Sequence, residues 1–242
     1  MPVDGWVQVG EFGQTGSRLR LDEDLGITRG ILIELGAAYR FSDRRRFTFS
    51  LGDLILRGEE TALATVVYDE GIFPPGTELR STPLFFRLKG TYEQTLWDVL
   101  DRFFLDLLLG VEYIYLDFKI EGTDPSGEKI REGEQFWKQE LPLPFVGAAV
   151  RYTPTDRWTI GLSSTWISVH RLNSLRHEGG LVRLTQTNFE TNLSAGYRPG
   201  ERLSFDAGYR LWSFVQEEKS GQDDNRFHLR TLAPFFRIEY GF

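Results

Sequence analysis

Phe236-Arg-Ile-Glu-Tyr-Gly-Phe242 closes the chain, and its reading decides how everything before it is read. Phe242, Tyr240, Ile238, Phe236 and, further back, Leu232 fall on one face of an extended strand. Gly241, Glu239, Arg237 and Thr231 fall on the other. Successive side chains of a strand point to opposite faces, so this alternation makes one apolar and one polar face. In a soluble sandwich the apolar face packs against a second sheet. In a membrane barrel it meets lipid, and the polar face lines the lumen.

The same alternation recurs upstream. Phe205, Ala207, Tyr209 and Leu211 oppose Ser204, Asp206, Gly208 and Arg210. Phe189, Leu193, Ala195 and Tyr197 oppose Glu190, Asn192, Ser194 and Arg198. Trp158, Ile160, Leu162 and Trp166 oppose Thr159, Gly161, Ser163 and Thr165. Leu84, Phe86, Leu88 and Tyr92 oppose Arg87, Lys89, Thr91 and Glu93, and Ile31 to Phe41 repeats the pattern against Glu34, Gly36 and Arg40. The connections alternate as well. Ser42–Arg45, Glu93–Arg102, Pro154–Arg157 and Pro199–Arg202 are candidates for short turns, and the stretches 22–30, 58–81, 121–141, 171–185 and 217–226 for long charged loops. Short turns at one end and long loops at the other are the bacterial outer-membrane pattern. Aromatic residues beside the short turns (Tyr39, Phe41, Phe47, Tyr92, Tyr152, Trp158, Tyr197, Phe205) read as an interfacial girdle.

Composition agrees. A net charge of −7 argues against a nucleic-acid partner. The absence of cysteine removes disulfides, thiolate metal sites and cysteine nucleophiles, and suits an oxidising compartment. No stretch resembles an apolar membrane helix, since even Leu105–Leu116 is broken by Asp106, Gly110 and Glu112. No secretory signal precedes Gly5, so the chain is expected to be one whose leader has been removed.

These signals predict a single all-β domain, residues 1–242: a transmembrane, antiparallel up-and-down barrel of about ten strands, with eight or twelve as alternatives. The strands fall near 6–21, 31–41, 46–57, 82–93, 104–120, 143–153, 158–170, 187–198, 203–216 and 227–242. An even count puts both termini on the periplasmic side. Thr95–Phe103 carries Leu96, Val99, Leu100 and Phe103 at helical spacing, which predicts a short interfacial helix.

The run Phe236, Ile238, Tyr240, Phe242 resembles the C-terminal assembly signature of bacterial outer-membrane proteins. The resemblance implies recognition by the barrel-assembly machinery and a location in the outer membrane, among its lipid and lipopolysaccharide. The wider pattern is similar to small barrels of the OmpA and OmpW kind. The stretches Gly16–Gly26 and Phe73–Ser81 resemble a group of uncharacterised small barrels. None of this implies an activity, because fold does not carry function.

Charge on the inward faces is the first functional candidate. Arg40, Arg87, Arg151, Arg198, Arg210 and Arg237 share the lumen with Glu34, Glu112, Glu190, Asp206 and Glu239, and Arg18, Arg20, Lys89, Glu93 and Asp106 are expected there too. A narrow barrel is filled by such side chains, and charges held away from water need partners. The expectation is an interlocked ion-pair core drawn from these residues; a selective narrow pore is the alternative.

Other constellations are weaker. Ser168, His170, Ser174, His177 and Glu178 lie close in sequence, and a hydrolase at the rim would resemble lipid A deacylases or phospholipases; a polar rim is the plainer reading. The Asp pairs of an omptin-type protease are not found. Asp22-Glu23-Asp24 and Asp223-Asp224-Asn225 offer oxygen ligands, yet a solvated loop explains them without a metal. Thr61–Leu79 reads as a hairpin above the membrane, and Glu121–Leu141, with Phe136 and Trp137, as a fold over the mouth or a partner contact. The leading expectation is a non-enzymatic barrel without cofactor, metal or catalytic residue, structural or weakly pore-forming. A surface binding protein and a lipid-modifying hydrolase are the alternatives. A lipocalin-like soluble barrel would instead point its apolar residues inward.

Overall fold

The computed structural model describes residues 1–11, 15–69, 71–130, 142–173, 183–221 and 223–241. The chain opens with β1 (Val3–Glu11), β2 (Leu19–Arg20), β3 (Gly30–Ser42) and β4 (Arg45–Leu56). Short strands β5 (Gly58–Thr61), β6 (Val66–Tyr68), β7 (Gly71–Phe73) and β8 (Glu78–Ser81) follow. Then come β9 (Leu84–Val99), β10 (Phe103–Asp117), β11 (Ile120–Thr123) and β12 (Lys129–Ile130). The chain ends with β13 (Leu143–Thr155), β14 (Trp158–Asn173), β15 (Arg183–Tyr197), β16 (Leu203–Lys219) and β17 (Asp223–Gly241).

Among the described residues nine strands form a closed barrel, in the order β3-β4-β9-β10-β13-β14-β15-β16-β17. Each neighbouring pair is antiparallel except the closure. There β17 meets β3 in parallel, Ile238 opposite Leu35 through Gly241 opposite Ala38. The sequence pattern predicts ten antiparallel strands, and the difference lies in the first. Residues 6–21 do not make one long strand. β1 pairs with β17 as a first strand would, but only from Val3 opposite Thr231 to Glu11 opposite Asp223. Met1 is tied to Gly30 by two backbone bonds of 2.8 and 2.9 Å, so β1 starts partway along the wall. The turn-side half of the wall is then one strand short, and β3 takes the place. A ring of alternating directions with an odd number of members must contain one parallel pair. β1 can lie against β17 only because Gly5 carries no side chain: a Cβ there would sit 2.0 Å from the His228 carbonyl oxygen, at a φ of 154°.

The short connections fall where the alternation places them, with one correction. Thr95–Phe103 is not helical: β9 runs on to Val99, and a turn closed by Arg102 N–H donating to Val99 O (3.2 Å) leads into β10. Leu100 and Asp101 both have positive φ, 57° and 52°, the left-handed conformation that tight hairpin loops use to match strand twist. The register of β9 against β10 slips by one residue at Leu105/Asp106. That slip lets Leu96 and Trp97 lie exposed side by side, a spacing that mimics a helical face in sequence.

Beyond the long-loop end, β5, β8, β11 and β12 form a four-stranded sheet, and β6 with β7 the hairpin expected within Thr61–Leu79. This cap is tied to the barrel: Tyr68 Oη donates to the Phe118 carbonyl at 2.8 Å, and Phe118 packs against Phe227 of β17. Phe136 and Trp137 lie outside the described residues.

The wall has two levels of opposite radial polarity. On the turn side the outward face is apolar: Ile31, Leu35 and Phe41 of β3, Leu193 of β15, and Leu232, Phe236 and Tyr240 of β17 are all exposed. Toward the long loops the outward face turns polar, with Arg226 and Arg230 on β17 and Asp4 and Gln8 on β1. The interior is the reverse. Leu54, Leu56, Phe85, Ile114, Leu116, Trp212, Phe214, Phe227 and Leu229 fill the loop-side half, joined by Val7 and Val9 of β1 and by Leu21, Leu25 and Ile27 after β2. The turn-side half is lined by charge.

Candidate functional site

The charged lumen is built by inward positions two residues apart on facing strands. Glu34 of β3 accepts from Arg210 Nη1 at 2.9 Å and from Arg237 Nη2 at 2.5 Å, on β16 and β17. Arg210 Nε donates to Asn192 Oδ1 at 2.7 Å, and Asn192 Nδ2 to Glu190 Oε1 at 2.7 Å. Glu190 also pairs with Arg87 and with Lys89, the latter at 3.6 Å. Arg87 pairs with Glu112, which accepts from Asn188 Nδ2 at 2.7 Å. Asn188 Oδ1 in turn accepts from Trp212 Nε1 at 2.6 Å. The indole is the joint between the two interiors: its N–H ends the polar network, and its ring sits edge-on to Phe85 at 5.0 Å in the apolar core.

Glu34, Arg87, Glu112, Glu190 and Arg210 are all buried. Desolvated charges of this kind are held by Coulomb attraction only when hydrogen bonds satisfy the remaining donors and acceptors. Removing one partner strands the other, at about 3–5 kcal/mol. Nearer the turns, Arg151 grips Asp106 with two bonds (Nε 2.6 Å, Nη2 3.0 Å), and Thr95 Oγ1 adds a third at 2.6 Å. Glu239 pairs with Arg46.

Of the lumen set expected from sequence, Arg87, Arg151, Arg210, Arg237, Glu34, Glu112, Glu190 and Glu239 do enter ion pairs. Arg40, Arg198 and Asp206 do not, among the described residues. Arg40 and Arg198 line the mouth at the turn end, where water can solvate them, and Asp206 is half-buried further inside the lumen. Arg18 and Arg20, expected in the lumen, lie outside: Arg18 stacks 4.0 Å over Trp6, and Arg20 pairs with Asp22 and Glu23. Arg46 is absent from the expected set, hidden in the run Arg44-Arg45-Arg46 that reads as a turn. Its parity with the inward Thr48, two residues on, is the signal that identifies it.

Among the described residues the remaining candidates do not come together into a further cluster. Ser168 Oγ and His170 Nε2 are 3.3 Å apart on the exposed rim, while Ser174, His177 and Glu178 lie outside the described residues. Asp22 and Glu23 are neutralised by Arg20, and Asp24 accepts from the Arg20 backbone at 2.7 Å. Asp224 pairs with Arg226 and Lys219. Of the assembly residues, Phe236, Ile238 and Tyr240 face outward and are exposed, and Phe242 lies outside the described residues.

A cavity of about 190 Å³ lies within the charged half, lined by Glu34, Lys89, Asp106, Glu190 and Arg237 among others. A second, of about 260 Å³, lies among Arg40, Arg46, Arg198, Arg202 and Glu239. Neither is lined by any residue of the large apolar cluster. No protein-family model matches the chain, and no curated protein matches it.

Proposed function

We propose that the protein is an integral bacterial outer-membrane barrel without enzymatic activity, structural in role, whose lumen is closed to solutes. The observation that carries this is the inverted polarity of the turn-side half, with Leu, Ile, Phe and Trp outside and ion pairs inside. On β17 the outward apolar run extends from Leu232 to Tyr240, the ~9–11 residues a tilted strand needs to cross a bilayer. Water solvates an exposed apolar band poorly and lipid solvates it well. The turn-side end of β17, with Phe236, Ile238 and Tyr240 outward, suits recognition by the barrel-assembly machinery and an orientation with the short turns in the periplasm. The cap of β5–β8, β11 and β12 then stands on the lipopolysaccharide side.

The loop-side half supports a closed lumen. Trp212, Phe85, Phe214 and Phe227 form edge-on and tilted contacts at 5.0–6.0 Å across the interior, and an ion passing between them would lose its hydration with no polar partner in return. The test is conductance of the refolded barrel in a planar bilayer. The expected record is silent at either polarity; steady single-channel currents would replace this reading with the weak-pore one. An ordered cap favours display to an external partner as a second reading, to be tested by deleting residues 61–77 and assaying surface binding.

A further inference from the structure

The turn-side mouth holds cations that the network leaves over. Arg40 and Arg198 make no ion pair or side-chain hydrogen bond among the described residues, though both line the 260 Å³ cavity. The charges acting on Arg40 are mostly repulsive, from Arg198, Arg46 and Arg151, with Asp43 as the opposing carboxylate. Arg46 reaches the same cavity. Its Nη2 is held by Glu239, but its Nε is buried without a partner. Arg202, Ser204 and the carboxylates Glu201 and Glu239 also line it, so four guanidinium groups face two carboxylates and the cavity keeps a cationic excess. Guanidinium groups that converge on a space and leave donors unused form a site for planar or tetrahedral oxyanions, which take several N–H bonds at once.

We propose that this mouth binds a small phosphoryl oxyanion, held between Arg40 and Arg198 with the Arg46 Nε–H as the inner donor. Inward the mouth shares Arg46, Arg198, Ser204 and Glu239 with the 190 Å³ cavity, and beyond that lie the Arg237–Glu34–Arg210 cluster and the apolar core. Free phosphate and the phosphate of a lipid headgroup at the membrane surface share this chemistry. Binding at the mouth involves the end of the barrel alone and is independent of whether the lumen conducts.

The experiment is calorimetric titration of the folded barrel in neutral detergent micelles, in two arms. One arm adds inorganic phosphate against chloride at matched ionic strength; the other adds phosphatidylglycerol to the micelles. Arg40→Gln and Arg198→Gln are each expected to weaken binding about tenfold or more, since each removes charge-assisted hydrogen bonds. Arg20→Gln, at the end of β2 and outside the lumen, should leave it unchanged. Binding in the phosphate arm assigns the site to a free anion, and binding in the lipid arm alone to a headgroup. Absence of binding in both arms would overturn the proposal, as would undiminished binding by an Arg40→Gln/Arg198→Gln double variant that retains the wild-type circular dichroism.

Discussion

The two halves of this barrel solve opposite solvation problems with the same strands. Toward the long loops, β16 and β17 behave as strands of a soluble barrel: Trp212, Phe214, Phe227 and Leu229 point in, and Ser213, Arg226 and Arg230 point out. Toward the short turns the same strands point Arg210, Arg237 and Glu239 in, and Tyr209, Phe236 and Tyr240 out. Strand geometry cannot rotate the faces midway, so the sequence itself must change phase. It does so between Leu211 and Trp212 on β16, between Leu229 and Leu232 on β17, and between Leu51 and Leu54 on β4. In the membrane reading proposed above, the level of that change is where the wall leaves lipid for water. It also explains why the interior needs both an ion network and a dry core: each half buries what its outside does not solvate.

The largest effect should come from forcing one interior into the other. Phe214→Arg places an unpaired charge in the dry core and should cost on the order of 5 kcal/mol, or block folding outright. Denaturant unfolding from vesicles, with heat-modifiable gel mobility as the folding readout, measures it; a loss below about 1 kcal/mol would show that water reaches this level.

Next in size is the ion network. Glu34→Gln removes the carboxylate shared by Arg210 and Arg237 and should destabilise by ~3–5 kcal/mol. Arg40→Gln, at the solvated mouth of the same lumen, should change stability by no more than ~0.5 kcal/mol. Equal losses for the two would erase the distinction between paired and unpaired lumen charge.

The outer surface sharpens the comparison. Leu193→Arg, on the apolar band of β15, should cost ~2–4 kcal/mol in lipid vesicles. Thr187→Arg lies six residues away on the same outward face, above the phase change, and should cost within ~0.5 kcal/mol. Matching costs in vesicles would place both residues in one environment.

The smallest effect belongs to the cap. Burial first, and then the charges of Asp69 and Asp117, push the Tyr68 phenol well above its ordinary range. Its folded value is raised, so its contribution is fully present below the unfolded value of about 10 and is lost as pH rises beyond it. Tyr68→Phe should cost ~1 kcal/mol at neutral pH through the lost bond to Phe118 and flatten the alkaline decline. Ultraviolet titration would show the Tyr68 phenol ionising only together with unfolding of the cap; its ionisation alongside exposed tyrosines in the folded protein would contradict this.

Period-two alternation makes six of the nine wall strands legible in the sequence, because an apolar residue at every second position admits few other readings, and the turns between them place the other three. Gly30–Ser42 and Leu203–Lys219 fall within a few residues of their expected bounds. The first strand is illegible for a physical reason. Val7 and Val9 alternate properly, but where β1 stops and which neighbour β3 takes depend on closure, which no local pattern encodes. The Thr95–Phe103 stretch misleads because a bulge shifts alternation by one and imitates a helical spacing. In the lumen, inward parity identifies most of the charged residues, but partners such as Glu34 and Arg210, 176 residues apart, are set by barrel radius and stagger. The apolar loop-side core is visible in principle, as the phase change along β4, β16 and β17. Reading only the turn-side half of each strand conceals it.

The central claim is that one wall passes through two environments, and the chain, which has no cysteine, permits a direct test. Single cysteines placed on the outward face of β15, as Leu193→Cys and Ala195→Cys below the phase change and Thr185→Cys and Thr187→Cys above it, would be probed in vesicles. The probe is a membrane-impermeant maleimide supplied on both sides. The account predicts that Thr185→Cys and Thr187→Cys react, that Leu193→Cys and Ala195→Cys are protected, and that all four react once the barrel is unfolded. Labelling of Leu193→Cys in the folded protein as fast as of Thr187→Cys would contradict it.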